Sequence, residues 1–193
     1  MRSLKYILEE NNMMKLNMFD AVTYSAVPGK KIVILLRVLE KASAAPAGLV
    51  PFGTTDSENI SADSDTTVTK DGAIVTPGAA SVELSKEALM SVNSSDPDGT
   101  TSIDDLKDAM KKRKKVEAWV VNLDRPGTRT NKYLGTYYQG FLTSFETESA
   151  AEDLATVSMD YSAEGVGVDG ECTVDTDTQQ IASYVFKDTV QEI

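Results

Sequence analysis

The residues that do most enzyme chemistry are thinly supplied in this chain. Of its 193 residues none is His, and Cys172 is the one Cys. Lack of His removes the commonest general base, the usual zinc ligand and every His-dependent triad. A lone Cys makes no intrachain disulfide. With Glu171 and Asp175 beside it, Cys172 also lacks the basic neighbour that activates a thiol, so it reads as a small packed side chain. Carboxylates remain. Glu146 with Glu148, and Asp175 with Asp177, stand at i, i+2, which places both acids on one face of a strand. Paired acids can share general acid–base work, but on a solvated strand face the plainer reading is two solvated charges. No catalytic residue is assigned, and an enzyme is not expected.

Binding motifs fare no better. Asp96, Asp98, Gly99 and Asp105 partly match a calcium loop, yet Ser94 holds the first ligand position and Thr101 the usual apolar one. A turn followed by a capped helix, about residues 103–114, accounts for the same stretch. Ser102 is the expected N-cap, with Asp105 three residues on. Asp104 and Asp105 sit at the positive end of the dipole, and Ile103, Leu106 and Met110 form the apolar stripe. Lys111, Lys112, Arg113, Lys114 and Lys115 crowd the negative end, where cations are favoured. That basic run could touch phosphate; a solvated helix end, or the partner of an acidic surface on another subunit, fits it better. Gly165, Gly167 and Gly170 make no phosphate loop, since no Lys-Ser/Thr follows and acids surround them. No metal or cofactor is expected.

The elements that would carry these side chains are mostly strands. Residues 116–122, VEAWVVN, are rich in β-branched and aromatic types and end at Asp124, Pro126 and Gly127. Along 133–145 the odd positions carry Tyr133, Tyr137, Phe141 and Phe145, with Thr136, Gly140 and Ser144 between. Val157, Met159 and Tyr161 repeat the alternation against Thr156, Ser158 and Asp160. Three such strands with short links form an antiparallel meander. On this parity the odd residues need a core, and Thr136, Ser144, Glu146, Thr156, Ser158 and Asp160 face away from it. A β-bulge near Gly135 or Gly140 would exchange part of that list between faces.

Earlier in the chain, residues 31–40 hold apolar side chains on both parities, as a strand buried on both faces would; a buried helix is the alternative that periodicity does not separate from it. Residues 42–66 are small, polar and broken by Pro46, Gly48, Pro51 and Gly53, and read as a long loop. Its apolar island, Leu49, Val50 and Phe52, suits a segment that orders against a neighbouring subunit. Asp71-Gly72 is a hairpin signal between short strands at 66–70 and 73–76, and Pro77-Gly78 reads as a turn into SVELS. Residues 172–176 and 182–186 read as closing strands. Residues 1–14 look like an extension or arm, with Met13 and Met14 as other possible starts, ahead of one β domain over 15–193. No apolar run has membrane length and no secretory signal is seen, so a soluble protein made in a cytoplasm is expected.

Charge is unevenly spread. Residues 1–140 carry 18 basic and 18 acidic side chains; residues 141–193 carry 12 acids and only Lys187, which gives the whole net charge of −11. Such a surface repels phosphate. It serves solubility, or a face that must not stick to DNA.

The order of elements resembles the major tail protein family of long-tailed phages, the tail tube subunits of siphophage type. The carrying residues are the helix SIDDLKDAMKKRKK leading into VEAWVV, then YQGFLTSFET, the turn SAAED and ATVSMDYSAEGVG, within residues 102–168. The resemblance implies a mainly β fold: an antiparallel β-sandwich or half-barrel with one flanking α-helix. It implies six copies in a ring, rings stacked into a tube, and a lumen that holds the tape measure protein and then passes DNA without specific binding. Tail terminator and distal tail proteins are the implied further partners. The implied place is the virion tail, assembled in the host cytoplasm without a membrane. The long loop, with Leu49, Val50 and Phe52, would make subunit and ring contacts; the polar parity of the meander would face the lumen. The alternatives are a monomeric β-sandwich for binding or adhesion, which expects exposed aromatics on a loop or concave face, and the tube protein of a contractile injection system.

Overall fold

The structure, a computed structural model, describes residues 16–17, 23–91, 103–175 and 178–179. Two short strands, β1 (Leu16–Asn17) and β2 (Thr23–Tyr24), pair with each other. Then follow β3 (Ile32–Val38), β4 (Gly48–Leu49), β5 (Gly53–Thr69), β6 (Gly72–Leu89), α1 (Ile103–Lys112), β7 (Val116–Pro126), β8 (Lys132–Glu148), β9 (Thr156–Ala163) and β10 (Val168–Thr173). Strands β3 to β10 form one antiparallel sheet in the order β4-β3-β7-β8-β9-β6-β5, with β10 also on β8. The mainly β half-barrel with one flanking helix is therefore the fold, and β7-β8-β9 is the expected meander.

β8 is the longest strand of the meander, and two strands share its far edge. β9 pairs its C-terminal half and β10 its N-terminal half. The closing strand thus starts at Val168, before the 172–176 expected. Gly140 sits where β8 passes from one partner to the other. A Cβ there would run into the Ser162 carbonyl oxygen, so backbone packs where a side chain would stand.

The core lies on the concave face. Ile34, Leu36 and Val38 of β3 meet Val116 and Ala118 of β7, Tyr138 and Leu142 of β8, Val157, Met159 and Tyr161 of β9, and Val82, Leu84 and Ala88 of β6. Helix α1 covers this face with Ile103, Leu106 and Ala109. Its acids lead and its lysines trail, as the dipole favours. Arg113 at φ 53 stops it, with Lys114 N–H on the Ala109 carbonyl. The opposite parity of β3, Val33 and Leu35, enters a second cluster with Val121, Leu123 and Val174. β3 is buried on both faces, as its sequence requires.

Three expectations are corrected. The 42–66 segment is no long loop: after β4 it becomes β5, one side of a hairpin reaching residue 89. Its Thr, Ser and Asp alternate over a stretch with little apolar content, so periodicity alone does not mark a strand. The two-residue turn is Lys70-Asp71, since Thr69 pairs with Gly72, one step earlier than Asp71-Gly72. Pro77-Gly78 is not a turn; both lie within β6 opposite the irregularity at Ala62/Ser64, a place where a sheet tolerates Pro. The third correction is parity. In β8 the buried residues are Tyr138 and Leu142, not Tyr137 and Phe141, until a register shift between Leu142 and Ser144. Past this bulge Phe145 joins the core.

The sheet curls without closing. Asp56 of β5 reaches across to β3, where its Oδ2 accepts the Ile34 N–H at 3.1 Å, while its Oδ1 accepts from Lys86 Nζ at 2.6 Å. Lys86 is 3% exposed, so this pair lies inside the curl. Tyr138 adds a second tie, donating its hydroxyl to Glu58 at 2.6 Å.

Candidate assembly surfaces

Where β5, β6, β9 and the end of β8 lie side by side, cross-strand partners share a face. Val82, Leu84, Lys86 and Ala88 point into the core. The alternate residues point out, and the register lines them up: Ser57 with Ser85, Ser85 with Asp160, and Asp160 with Ser144. The next row is Thr55, Glu87, Ser158 and Glu146; another is Asn59, Glu83, Ser162 and Phe141. Ser85 donates to Asp160 at 2.8 Å. Across four strands this face carries hydroxyls, an amide and the carboxylates of Glu83, Glu87, Glu146, Glu148 and Asp160, with half-buried Leu89 and Phe141 at its two ends and no Lys or Arg from the four strands. It is a broad, mainly acidic face, bordered at Phe141 by Lys115, which stands over that ring and pairs with Glu164.

Five of the six residues expected on a single polar face are on it: Ser144, Glu146, Thr156, Ser158 and Asp160. Thr136 is not. It precedes the bulge, pairs with Val120 on the concave side, and donates to Asp169 at 2.7 Å. The bulge one residue wide divides the list. The β6 members were legible as a polar parity in SVELS, but not as neighbours of β9, a pairing between strands some seventy residues apart; the β5 members were read as loop.

The second surface is an arm. From residue 60 to residue 79 every side chain of the β5–β6 hairpin is exposed, including Ile60, Val68, Ile74 and Val75. Val68 is 81% exposed and pairs with Ala73; two residues along, Thr66 pairs with Val75, so both valines share one face. A ribbon with both faces in solvent has no core of its own, and such exposed apolar residues on a long strand pair mark a contact site.

The apolar island at 49–52 is split. Val50 is 1% exposed and belongs to the core. Leu49 pairs with Leu35 and packs on the second cluster. Phe52 alone stands out, 68% exposed at φ 55, a left-handed backbone that costs a bulky residue energy.

The remaining polar groups hold the fold. Glu117, 5% exposed, takes Arg37 Nε at 2.8 Å and the Tyr137 hydroxyl at 2.6 Å. Trp119 lies between Arg37 and Tyr137, not on a loop where a sugar-binding aromatic would be. Burial and then the Glu117 bond push the Tyr137 phenol up; burial and then Glu58 do the same to Tyr138. Cys172 donates to the Tyr133 carbonyl, and burial raises its thiol, which disfavours the thiolate. Much of the basic run is paired within the chain: Lys112 with Asp108, Lys114 with Glu40, Lys115 with Glu164. Glu146 and Glu148 share the acidic face, as their spacing requires. Ser102, Asp177, Met13, Met14, residues 1–14, the possible calcium loop at 94–101 and the strand at 182–186 lie outside the described residues. Among the described residues no group of His, Cys, Asp and Glu is arranged to hold a metal, and no helix is long and apolar enough to cross a membrane.

Comparison with known proteins agrees with this arrangement. A protein of Staphylococcus phage phiMR25 described as a tail protein is 30% identical over 135 residues, covering 67% of each chain. The SPP1 tail tube structure superposes with a TM-score of 0.65 at 18% identity, covering 87% of this chain and 95% of that one. A chain of the native gene transfer agent virion gives 0.55 at 12% identity, covering 75% and 99%. At such identities these two speak for the fold. The phage tail tube protein family matches residues 26–169, three quarters of the sequence. The chain belongs to that family: it is a structural protein of the phage tail, not an enzyme.

Proposed function

We propose that six copies of this chain close into a ring, that rings stack into the tube of a siphophage tail, and that DNA passes through it. The observation that carries this reading is the acidic face without a basic side chain over β5, β6, β9 and β8. Turned inward, it lines a channel whose carboxylates repel the phosphate backbone and whose hydroxyls leave few apolar footholds. α1 then lies outside, against the concave face. Closing a ring pairs the edges at the two ends of the sheet, β5 and β4. The tail of the empty gene transfer agent particle, similar in fold, was refined with C6 symmetry, which supports sixfold closure here. The same lumen would hold the tape measure protein before ejection, with a tail terminator and distal tail protein at the two ends. Phe52 and the arm make the contacts between subunits and rings; Leu49 and Val50 serve the chain's own core.

Negative-stain images of the concentrated protein test this. Hollow tubes with sixfold end views are expected, and Phe52→Ala should leave the chain folded but slow its polymerisation. A strictly monomeric species, even after seeding with tails, overturns the reading.

A further inference from the structure

The concave face continues beyond the part α1 covers. Two rows of the sheet lie there: Ile34, Val120, Thr136 and Asp169, then Ile32, Asn122, Leu134 and Glu171. The outer row is open, and with Glu58 on one side and Arg125 at the end it bounds a trough of about 520 Å³. Its floor is apolar and half-buried at Ile32, Val120 and Leu134. Three carboxylates rim it, each satisfied only by neutral donors. Glu58 accepts from the Tyr138 hydroxyl, Asp169 from Thr136, and Glu171 from the Thr128 N–H and hydroxyl. Among the described residues none of the three is in an ion pair, nor is Arg125.

We propose that this trough is the socket for the arm tip of a second copy of the chain, an inference that rests on the tube reading above. The tip offers the complement. Val68 and Val75 share one face, and the turn beside them is Lys70-Asp71. The valines match the floor, Lys70 answers the three carboxylates, and Asp71 answers Arg125. Lys70 is itself outside any ion pair among the described residues. The arm cannot fill its own socket. Twelve residues of paired strand separate Glu58 from Lys70, roughly 40 Å at strand rise, and the whole ribbon leads away from the body. Each copy therefore gives a tip and receives one, a head-to-tail contact that propagates along a stack.

The test uses the full chain with Cys172→Ser. Lys70→Cys combined with Glu171→Cys should, once assembled and oxidised, give a ladder of covalent multimers on a non-reducing gel; either single variant should not. A charge exchange guards against misfolding at Glu171. Lys70→Glu should raise the concentration needed for assembly about tenfold, and adding Glu171→Lys should recover most of it. Normal tubes with no ladder and no charge rescue would overturn the socket while leaving the tube intact. A parent chain that never assembles would remove the tube reading and the socket with it. If the Glu171→Cys thiol in tubes becomes reactive only when residues 1–14 are deleted, those residues fill the trough and the socket assignment is wrong.

Discussion

The two faces of the β5-β6-β9-β8 quartet share one backbone and one set of ladders, yet they are built for different surroundings. One carries Val82, Leu84, Leu142, Phe145, Val157 and Met159 and is sealed by α1. The other carries Ser, Thr, Asn, Asp and Glu, with Leu89 and Phe141 at its ends, and is not covered by the helix. Because strand side chains alternate, each residue's face is fixed by register, and one bulge is enough to exchange them. On the proposed tube reading, stability and function are separable by parity. Substitutions on the inner face should cost folding, and those on the outer face should cost passage of DNA.

Breaking the inner face where it holds a charge should have the largest effect. Asp56→Ala strands Lys86 inside the curl and unties β5 from β3; the expected loss is about 3–5 kcal/mol, read by urea unfolding of the unassembled chain. Replacing the pair together, Asp56→Leu with Lys86→Met, should recover much of it. Next is Leu106→Ala, which empties a fully buried site between helix and sheet and should cost about 3 kcal/mol.

A smaller effect sharpens the comparison through pH. Tyr161 faces the core, donates to the Val116 carbonyl, and has its phenol pushed above the ordinary 10.0, chiefly by burial. The folded state then holds its proton more tightly than the unfolded chain. The stabilisation is complete below that ordinary value and is lost as pH rises toward the folded one. Tyr161→Phe should flatten the alkaline fall in unfolding midpoint relative to the parent chain.

The smallest change in stability belongs to the outer face. Glu146→Lys and Asp160→Lys should each stay within about 0.5 kcal/mol and leave tubes intact, yet slow genome ejection as phosphates are attracted. Unfolding of either variant would place those residues in a core or an interface and undo the channel assignment.

Much of this was legible in the residues themselves. Absence of His and the solitary Cys172 removed most catalysis before any fold was known. β-Branched and aromatic content gave β7, period-two alternation gave β8 and β9, and both apolar parities of 31–40 gave a buried element whose strand identity the structure decided. Asp104, Asp105 and the trailing lysines gave α1 its ends. These are local signals, carried by neighbours within a turn or a strand. Tertiary structure alone decided the rest. Whether Thr136 shares a face with Ser144 depends on an extra residue accommodated between Leu142 and Ser144, which no alternation announces. Residues 53–69 became a strand because β6 supplies their hydrogen bonds, not because their composition demands it. Val50 is core and Phe52 is surface because the chain turns between them and the sheet curls over one of them. The acidic face extends across β5 and β6 because β6 pairs with β9, a contact between residues far apart in sequence, where side-chain pattern fixes what a strand can present but not which strand lies beside it.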